Sequence, residues 1–394
     1  MRYPILGVFC LLTGFGAEAG ILFGDKNSSI IVEEGSTFVI ASDLTVTGTI
    51  VNEGTLTVDS GASFDYSCGT FIDHGGHIRT FNHNTTIYKD INLSPVSLMT
   101  IAALGDGGGT ITLTGSGQKI TFSDGGGVQL VIGDNTAVVL SNLELAGFQP
   151  GAISLGDGAS LTISSGVLSL NQDVWSFSYP ITFVGSLENP SYVRGNSKLI
   201  DFYDEGAFVI ANESVLQIED ITFWRINGEP VQMDDDGAVC FNNCLFKLDG
   251  DMTISQGHLL IGDTATFTGV GSLIYSSPSS IRLSANSSMV FNQVAFIYGS
   301  GDDDANELIG DGIGEASQII LDDAQFYVQV PSLSLIGVTL ISKGSSKLYG
   351  TGSGASEINF GDGYTYGRNS KLLIEDGILE MYDIVCNVQD ASGV

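Results

Sequence analysis

Basic residues are scarce in this chain, which has 14 lysines and arginines against 45 aspartates and glutamates and a formal net charge of −31. Binding to nucleic acid or to an anionic membrane surface requires clustered positive charge. The composition therefore argues against both kinds of partner. Two interpretations of the acidic surface remain, namely solvated charge and a source of oxygen ligands for divalent cations.

Cysteine is also scarce. Of the five cysteines, Cys10 lies in the apolar N-terminal segment, whereas Cys68, Cys240, Cys244 and Cys386 are spread over the rest of the chain. Small secreted domains without a sufficient core place their cysteines much more densely, as disulfide frameworks. We therefore expect a packed core, rather than cross-links, to stabilise the fold.

No apolar run is long enough to span a membrane. The N-terminus instead has Arg2, an apolar segment over residues 5–12, and the small-residue site Ala17-Glu18-Ala19. This pattern is typical of a secretory signal peptide. We predict cleavage after Ala19, export to the cell surface or the medium, and no transmembrane segment in the mature chain.

Helical patterning is nearly absent, and the chain has only 8 prolines but 52 glycines. With Val, Ile, Leu and Phe as the main apolar residues, this composition favours many short strands joined by Gly, Asn and Asp turns. No linker divides the chain. We therefore predict a signal peptide over 1–19, an N-terminal cap with the first coils over 20–90, and repeats over 91–394, which either end naturally or are truncated.

A repeated unit explains this composition. It consists of two apolar residues two apart, a two-residue step, and two more apolar residues two apart. A spacing of two is the strand period, so one row of side chains in each half-unit faces a core. The five instances are Val138/Leu140 with Leu143/Leu145, Leu216/Ile218 with Ile221/Phe223, Val239/Phe241 with Cys244/Phe246, Met289/Phe291 with Val294/Phe296, and Leu333/Leu335 with Val338/Leu340.

The step between half-units predicts a sharp corner. Its second residue is Asn142, Asp220, Asn243, Gln293 or Gly337, and most of these types tolerate a left-handed backbone. The closest units lie about 20 to 23 residues apart, which suits one three-stranded coil of a solenoid. We therefore predict an all-β fold, a right-handed single-stranded parallel β-helix, with these corners in equivalent places.

The repeat also orients two cysteines. Cys244 aligns with the inward residues Leu143 and Ile221, whereas Cys240 aligns with the outward residue Gln217. The two thiols should therefore point in opposite directions. We expect no disulfide or shared metal between them, and we interpret Cys244 as a small core residue.

The histidines suggest a metal site, because three of the four lie close together as His74, His77 and His83, with Asp73 beside them. Neutral imidazoles and a carboxylate can ligate Zn²⁺. The spacing matches no established metal motif, however, and a polar capping turn explains the same residues. Both interpretations stay open.

Acidic runs suggest Ca²⁺ as the one candidate cofactor. Asp302, Asp303 and Asp304 offer oxygen ligands, but they lack the alternating spacing of a Ca²⁺ loop. A solvated loop is the other interpretation.

Catalysis would need acids positioned for acid/base chemistry. The pair Asp322-Asp323 is the best candidate, yet it falls at a corner, where Asp side chains satisfy backbone amides, and no Arg or Lys recurs beside such corners. We therefore expect no catalytic activity. A polysaccharide lyase or hydrolase on a β-helix scaffold is the alternative.

Residues 115–385 resemble the passenger regions of bacterial autotransporters and adhesins, which are exported β-helices of the pectin-lyase type rich in Gly, Asn, Ser and Thr. The texture is similar to that of polymorphic outer-membrane proteins, although their signature tetrapeptides are largely absent. The matching segments are Gly151-Ala152-Ile153, Gly237-Ala238-Val239 and Phe81-Asn82-His83-Asn84. The resemblance implies a bacterial surface rod, structural or adhesive, with a host-surface protein or glycan as partner. A calcium-stabilised surface spacer is a further alternative.

Overall fold

The computed structural model is an all-β chain whose parallel coils stack into a β-solenoid of about 12 turns. The predicted β-helix architecture is therefore confirmed. No helix that could span a membrane occurs in the part of the chain that the structure describes. The described residues are 21–23, 29–33, 36–41, 44–46, 48–52, 55–58, 64–65, 70–73, 77–81, 84–87, 90–93, 98–103, 108–122, 127–148, 151–170, 173–202, 205–299, 306–311, 317–351, 354–361 and 370–388.

These residues form 40 strands. The first twelve are β1 (Ile21–Phe23), β2 (Ser29–Val32), β3 (Thr37–Ile40), β4 (Leu44–Val46), β5 (Thr49–Asn52), β6 (Thr55–Val58), β7 (Phe64–Asp65), β8 (Thr70–Asp73), β9 (His77–Phe81), β10 (Thr85–Thr86), β11 (Ile91–Asn92) and β12 (Leu98–Ile101). The next thirteen are β13 (Gly109–Thr121), β14 (Leu130–Ile132), β15 (Thr136–Phe148), β16 (Ile153–Leu155), β17 (Ser160–Ser164), β18 (Val167–Leu170), β19 (Val174–Phe177), β20 (Pro180–Val184), β21 (Ser191–Phe202), β22 (Ala207–Ile210), β23 (Val215–Gly228), β24 (Val231–Met233) and β25 (Ala238–Asn242). The remainder are β26 (Cys244–Ile254), β27 (His258–Ile261), β28 (Thr264–Gly269), β29 (Ser272–Tyr275), β30 (Ile281–Leu283), β31 (Ser288–Asn292), β32 (Ala295–Tyr298), β33 (Glu307–Gly310), β34 (Ser317–Asp322), β35 (Gln325–Val328), β36 (Ser332–Ile336), β37 (Val338–Tyr349), β38 (Ser356–Phe360), β39 (Lys371–Tyr382) and β40 (Ile384–Val388).

Each strand pairs in parallel with a strand about one turn further along the chain. Strands β15, β17, β20, β22 and β24 stack on a first face. The second half of β15, then β18, β21, β23 and β25, form a second face. The end of β21, the middle of β23, β26 and β28 form a third. Because each turn passes through all three faces, successive turns bury their inward rows against one another.

Bends within long strands and between consecutive strands use residues with left-handed backbone. Asn142, Asp220, Asn243 and Gly337 have φ values of 51°, 53°, 52° and 68°. Asn and Asp reach this conformation at low cost and Gly at none, so these residue types suit a tight change of direction. The chain can therefore change direction at these residues while the strand segments on either side keep their parallel pairing.

These corners do not all lie on the same edge of the solenoid. Asn142 precedes the strand segment that belongs to the second face, because Glu144 pairs with Val167 of β18. Asp220 follows the second face, because Leu216 before it pairs with Val239 of that face. The unit therefore repeats as a local shape, whereas its position around the solenoid changes along the chain.

Phenylalanines fill the inner row of the third face. Phe223, Phe246, Phe267 and Phe291 are each fully buried. Consecutive ring centroids in this row lie 4.6, 4.6 and 5.2 Å apart, and the rings are nearly parallel. We call these four residues the inner phenylalanine stack. In-register pairing produces the stack, since each ring lies on the equivalent ring of the next turn.

Candidate functional site

The predicted histidine cluster falls mostly outside the described residues. His74 and His83 are not among them, and for Asp73 and His77 only the backbone is described, at the end of β8 and the start of β9. The zinc prediction for these four residues therefore stays a prediction. Within the described part of the chain, no group of three or more His, Cys, Asp or Glu side chains is placed to hold a metal ion.

The acidic run Asp302, Asp303 and Asp304 also lies outside the described residues, so the calcium prediction is likewise untested. A second run, 234–236, is described. Asp234 accepts a hydrogen bond from the backbone N–H of Asn212 at 3.0 Å, and Asp235 accepts one from the side-chain amide of Gln256 at 3.0 Å. The oxygens of this run therefore bind neighbouring turns.

Several acids at corners hold the backbone of a neighbouring turn. Asp90, Asp134, Asp251 and Asp323 accept hydrogen bonds at 2.7 to 3.0 Å from backbone N–H groups that lie 21 to 29 residues further along the chain. A carboxylate that accepts such a bond is a strong acceptor and also satisfies an amide outside the ladder. For Asp323, which belongs to the pair considered for catalysis, the contact is structural.

Predicted corner residues make side-chain hydrogen bonds to other turns in two places, and in one of them both partners are predicted corners. Asn243 donates from Nδ2 to Asp220 Oδ1 at 2.5 Å, and Asn189 donates to Asn142 Oδ1 at 3.5 Å. The first contact joins successive turns at one edge of the solenoid. Side-chain bonds of this kind extend the backbone ladder around the corner.

The two cysteines point as the repeat predicts. Cys244 is buried with its thiol against backbone carbonyl groups, whereas Cys240 lies in the outward row, and both thiols are free. Burial raises the pKa of Cys244 to about 12. The thiol therefore stays protonated at neutral pH, as expected for a core residue.

A cavity of about 290 Å³ opens where two successive turns leave the third face. Phe202 lies at the end of β21, and Arg225, Asn227 and Glu229 lie at and just beyond the end of β23, one turn later. The equivalent strand ends are brought together because Asp201 pairs in register with Trp224. Nothing in the repeat pattern had indicated this site.

One of the residues that line the cavity, Arg225, belongs to an ion pair. The guanidinium of Arg225 contacts the carboxylate of Asp201, which is buried, and this hydrogen bond raises the pKa of Arg225. The residue before Arg225 in the chain, Trp224, has the ammonium of Lys247 4.2 Å from its ring centroid. Of these side chains, Arg225 lines the cavity.

A second surface feature lies further along the solenoid. Tyr327, Tyr349 and Tyr382 stack with ring centroids 4.7 and 5.1 Å apart on the outward side of β35, β37 and β39. Glu380 accepts a hydrogen bond from the Tyr382 hydroxyl at 2.7 Å and pairs with the ammonium of Lys347 at 3.1 Å. We call the three tyrosines the outer tyrosine ladder.

No protein-family model matches the chain, and no curated protein or solved structure matches it significantly. The fold therefore rests on the strand pairing itself. A signal for the tyrosine ladder was present in the sequence, since each tyrosine holds an outward position two residues after another outward polar residue, at Gln325, Lys347 and Glu380.

Proposed function

We propose that this protein is an exported rod of the cell surface, with a structural or adhesive role and no catalytic activity. The observation that carries the proposal is the use of corner acids to bind the backbone of neighbouring turns. One of them, Asp323, belongs to the pair considered for catalysis, and its carboxylate binds the backbone of the next turn. At a strand spacing of about 4.8 Å, the 12 or so turns span roughly 60 Å, which suits a projecting element.

The N-terminal segment supports the exported location. Its apolar residues and the Ala17-Glu18-Ala19 site are typical of secretory signals, and the resemblance to autotransporter passengers points to the same place. A strongly acidic surface also suits a protein that must stay dispersed outside the cell.

Protease treatment of intact source cells tests the proposal. We expect an antibody-detected band to disappear on intact cells while a cytoplasmic marker stays protected. Protection of the chain on intact cells, with loss only after permeabilisation, would contradict a surface location. Cleavage of any member of a panel of acidic polysaccharides by the purified chain, with or without Ca²⁺, would instead show that the protein is an enzyme.

A further inference from the structure

The conformation of Arg225 is unusual for its residue type. Its φ is 53°, and among the described residues it is the one cationic residue with a left-handed backbone, since the other non-glycine examples are Asn, Asp, Ser, Glu and Gln. A long side chain in this region is sterically strained. Asn or Gly could make the same bend with less strain, so the arginine side chain itself points to a role.

The ion pair with Asp201 holds that side chain against the cavity. Asp201 is buried, so its carboxylate requires a charged partner, and Arg225 supplies it while remaining 59% exposed. The guanidinium has five N–H donors. Those not used by Asp201 are available along an exposed wall whose position the buried carboxylate fixes.

The other groups around the cavity offer both donors and acceptors. Asn227 and Gln232 contribute amides, and Glu205 and Glu229 contribute carboxylates. A hydroxyl group both donates and accepts, so a ligand with several hydroxyls can pair with this mixed set. Phe202 and other apolar residues form the remaining surface, against which the C–H groups of a ring can pack.

The size and charge of the cavity restrict the class of ligand that it can bind. A volume of about 290 Å³ is at the lower end of small-molecule sites, which favours one ring over a longer segment. Glu205 and Glu229 add two negative charges, whereas the charge of Arg225 is balanced by Asp201. An acidic sugar would meet this net negative charge at short range.

We propose that the cavity binds a single non-acidic pyranose unit of a glycan. This inference names the partner for the adhesive form of the proposed function and rests on that function for its biological setting. The recognition is by hydrogen bonds from the Arg225 guanidinium and the Asn227 and Gln232 amides, with the ring packed against Phe202.

Calorimetric titration of the purified full chain tests the inference. The probes are methyl glycosides of glucose, galactose, mannose and N-acetylglucosamine, galacturonic acid as the acidic sugar, and a short lysine-containing peptide. We expect at least one non-acidic glycoside to bind and galacturonic acid to bind at least about tenfold more weakly. Absence of binding to every glycoside at millimolar concentration, or binding of the peptide alone, would overturn the inference.

Three variants locate the binding site. Asn227→Ala and Gln232→Ala remove exposed amides without disturbing the ion pair, and each should weaken binding at least about tenfold. Arg225→Lys keeps the charge but loses the planar fork of donors, so we expect weaker binding there as well. Melting curves of all variants check folding, and Asn227→Ala and Gln232→Ala decide the outcome if Arg225→Lys is unstable.

Arg194→Ala is the matched control. Arg194 also pairs with an acid, Glu219, at 3.1 Å and lies 4.8 Å from the ring centroid of Tyr192, but it does not line the cavity. Its loss should leave glycoside binding unchanged. Equal weakening by Arg194→Ala, or unchanged binding in both amide variants, would place the sugar elsewhere and contradict the assignment.

The two proposals fail in different ways. If no glycoside binds but protease still cleaves the chain on intact cells, only the assignment of the cavity is overturned. Glycoside binding by a chain that is protected inside intact cells would overturn the surface role and leave the cavity assignment supported.

Discussion

The inner phenylalanine stack and the outer tyrosine ladder are two products of one arrangement. In both, rings from successive turns lie nearly parallel, with centroids 4.6 to 5.2 Å apart. The phenylalanines are fully buried, whereas Tyr382 is 45% exposed. In-register parallel pairing stacks any equivalent side chains, and the alternation of the strand decides which stack is removed from water. The two stacks should therefore share geometry but differ in energy.

The largest loss in the free energy of unfolding should come from truncating a buried ring of the inner phenylalanine stack. Phe246→Ala removes a ring packed between Phe223 and Phe267, and we expect a loss of about 3 to 5 kcal/mol in the free energy of unfolding. Chemical denaturation followed by circular dichroism measures this loss. Phe246→Leu, which keeps most of the volume, should cost less than about 1.5 kcal/mol and remains measurable if the alanine variant does not fold.

A second difference concerns thiol reactivity. Cys244 is buried with a pKa of about 12, whereas Cys386 is exposed. Because alkylation requires an accessible thiolate, native Cys244 should react with iodoacetamide at least about tenfold more slowly than Cys386 at pH 8. Peptide mass spectrometry after timed labelling measures both rates. Comparable rates in the native state, rather than only in denaturant, would contradict the inward orientation of Cys244.

A smaller loss should follow truncation in the outer ladder. Tyr349 stacks between Tyr327 and Tyr382, and exposed aromatic pairs contribute about 0.5 to 1.5 kcal/mol. Tyr349→Ala should therefore destabilise the protein by about that amount in the same denaturation assay. Tyr349→Phe keeps the ring and serves as the control. A loss as large as that of Phe246→Ala would show that burial does not separate the two stacks.

The smallest effect concerns the acid that borders the ladder. The Tyr382 hydroxyl, and after it Lys347, hold the pKa of Glu380 below its ordinary value. A carboxyl with a lowered folded pKa stabilises the fold above its unfolded pKa of about 4.3, and this contribution is lost as the pH falls through the folded pKa. Melting temperatures of Glu380→Gln should therefore lie slightly below the parent at pH 7 and approach it near pH 3. A difference that persists unchanged at pH 3 would argue against an ionic contribution.

Local features of the fold were predictable from the sequence. The apolar spacing of two and the turn residues at Asn142, Asp220, Asn243 and Gly337 predicted strands, bends and a parallel solenoid. The same spacing predicted which side chains face the core and which face outward, as the inward Cys244 illustrates. Such features depend on residues only a few positions apart, where backbone preference and side-chain alternation are decisive.

The cavity was not predictable in this way. It needs Asp201 and Arg225, which are 24 residues apart, to meet across two turns. Whether they meet depends on the length of every loop between them, since one residue more would shift the pairing and reverse the side chains. The metal and calcium predictions concern residues 73–83 and 302–304, most of which lie outside the described residues, and stay predictions.

The sequence by itself determined that this chain forms short strands with one buried row, joined by left-handed corners, because these properties follow from local alternation and residue conformation. Only the tertiary structure decided which edge each corner occupies, which rings stack, and where an arginine meets a buried acid to line a cavity. Those outcomes depend on the register between turns, which the length of each turn sets and no single motif contains.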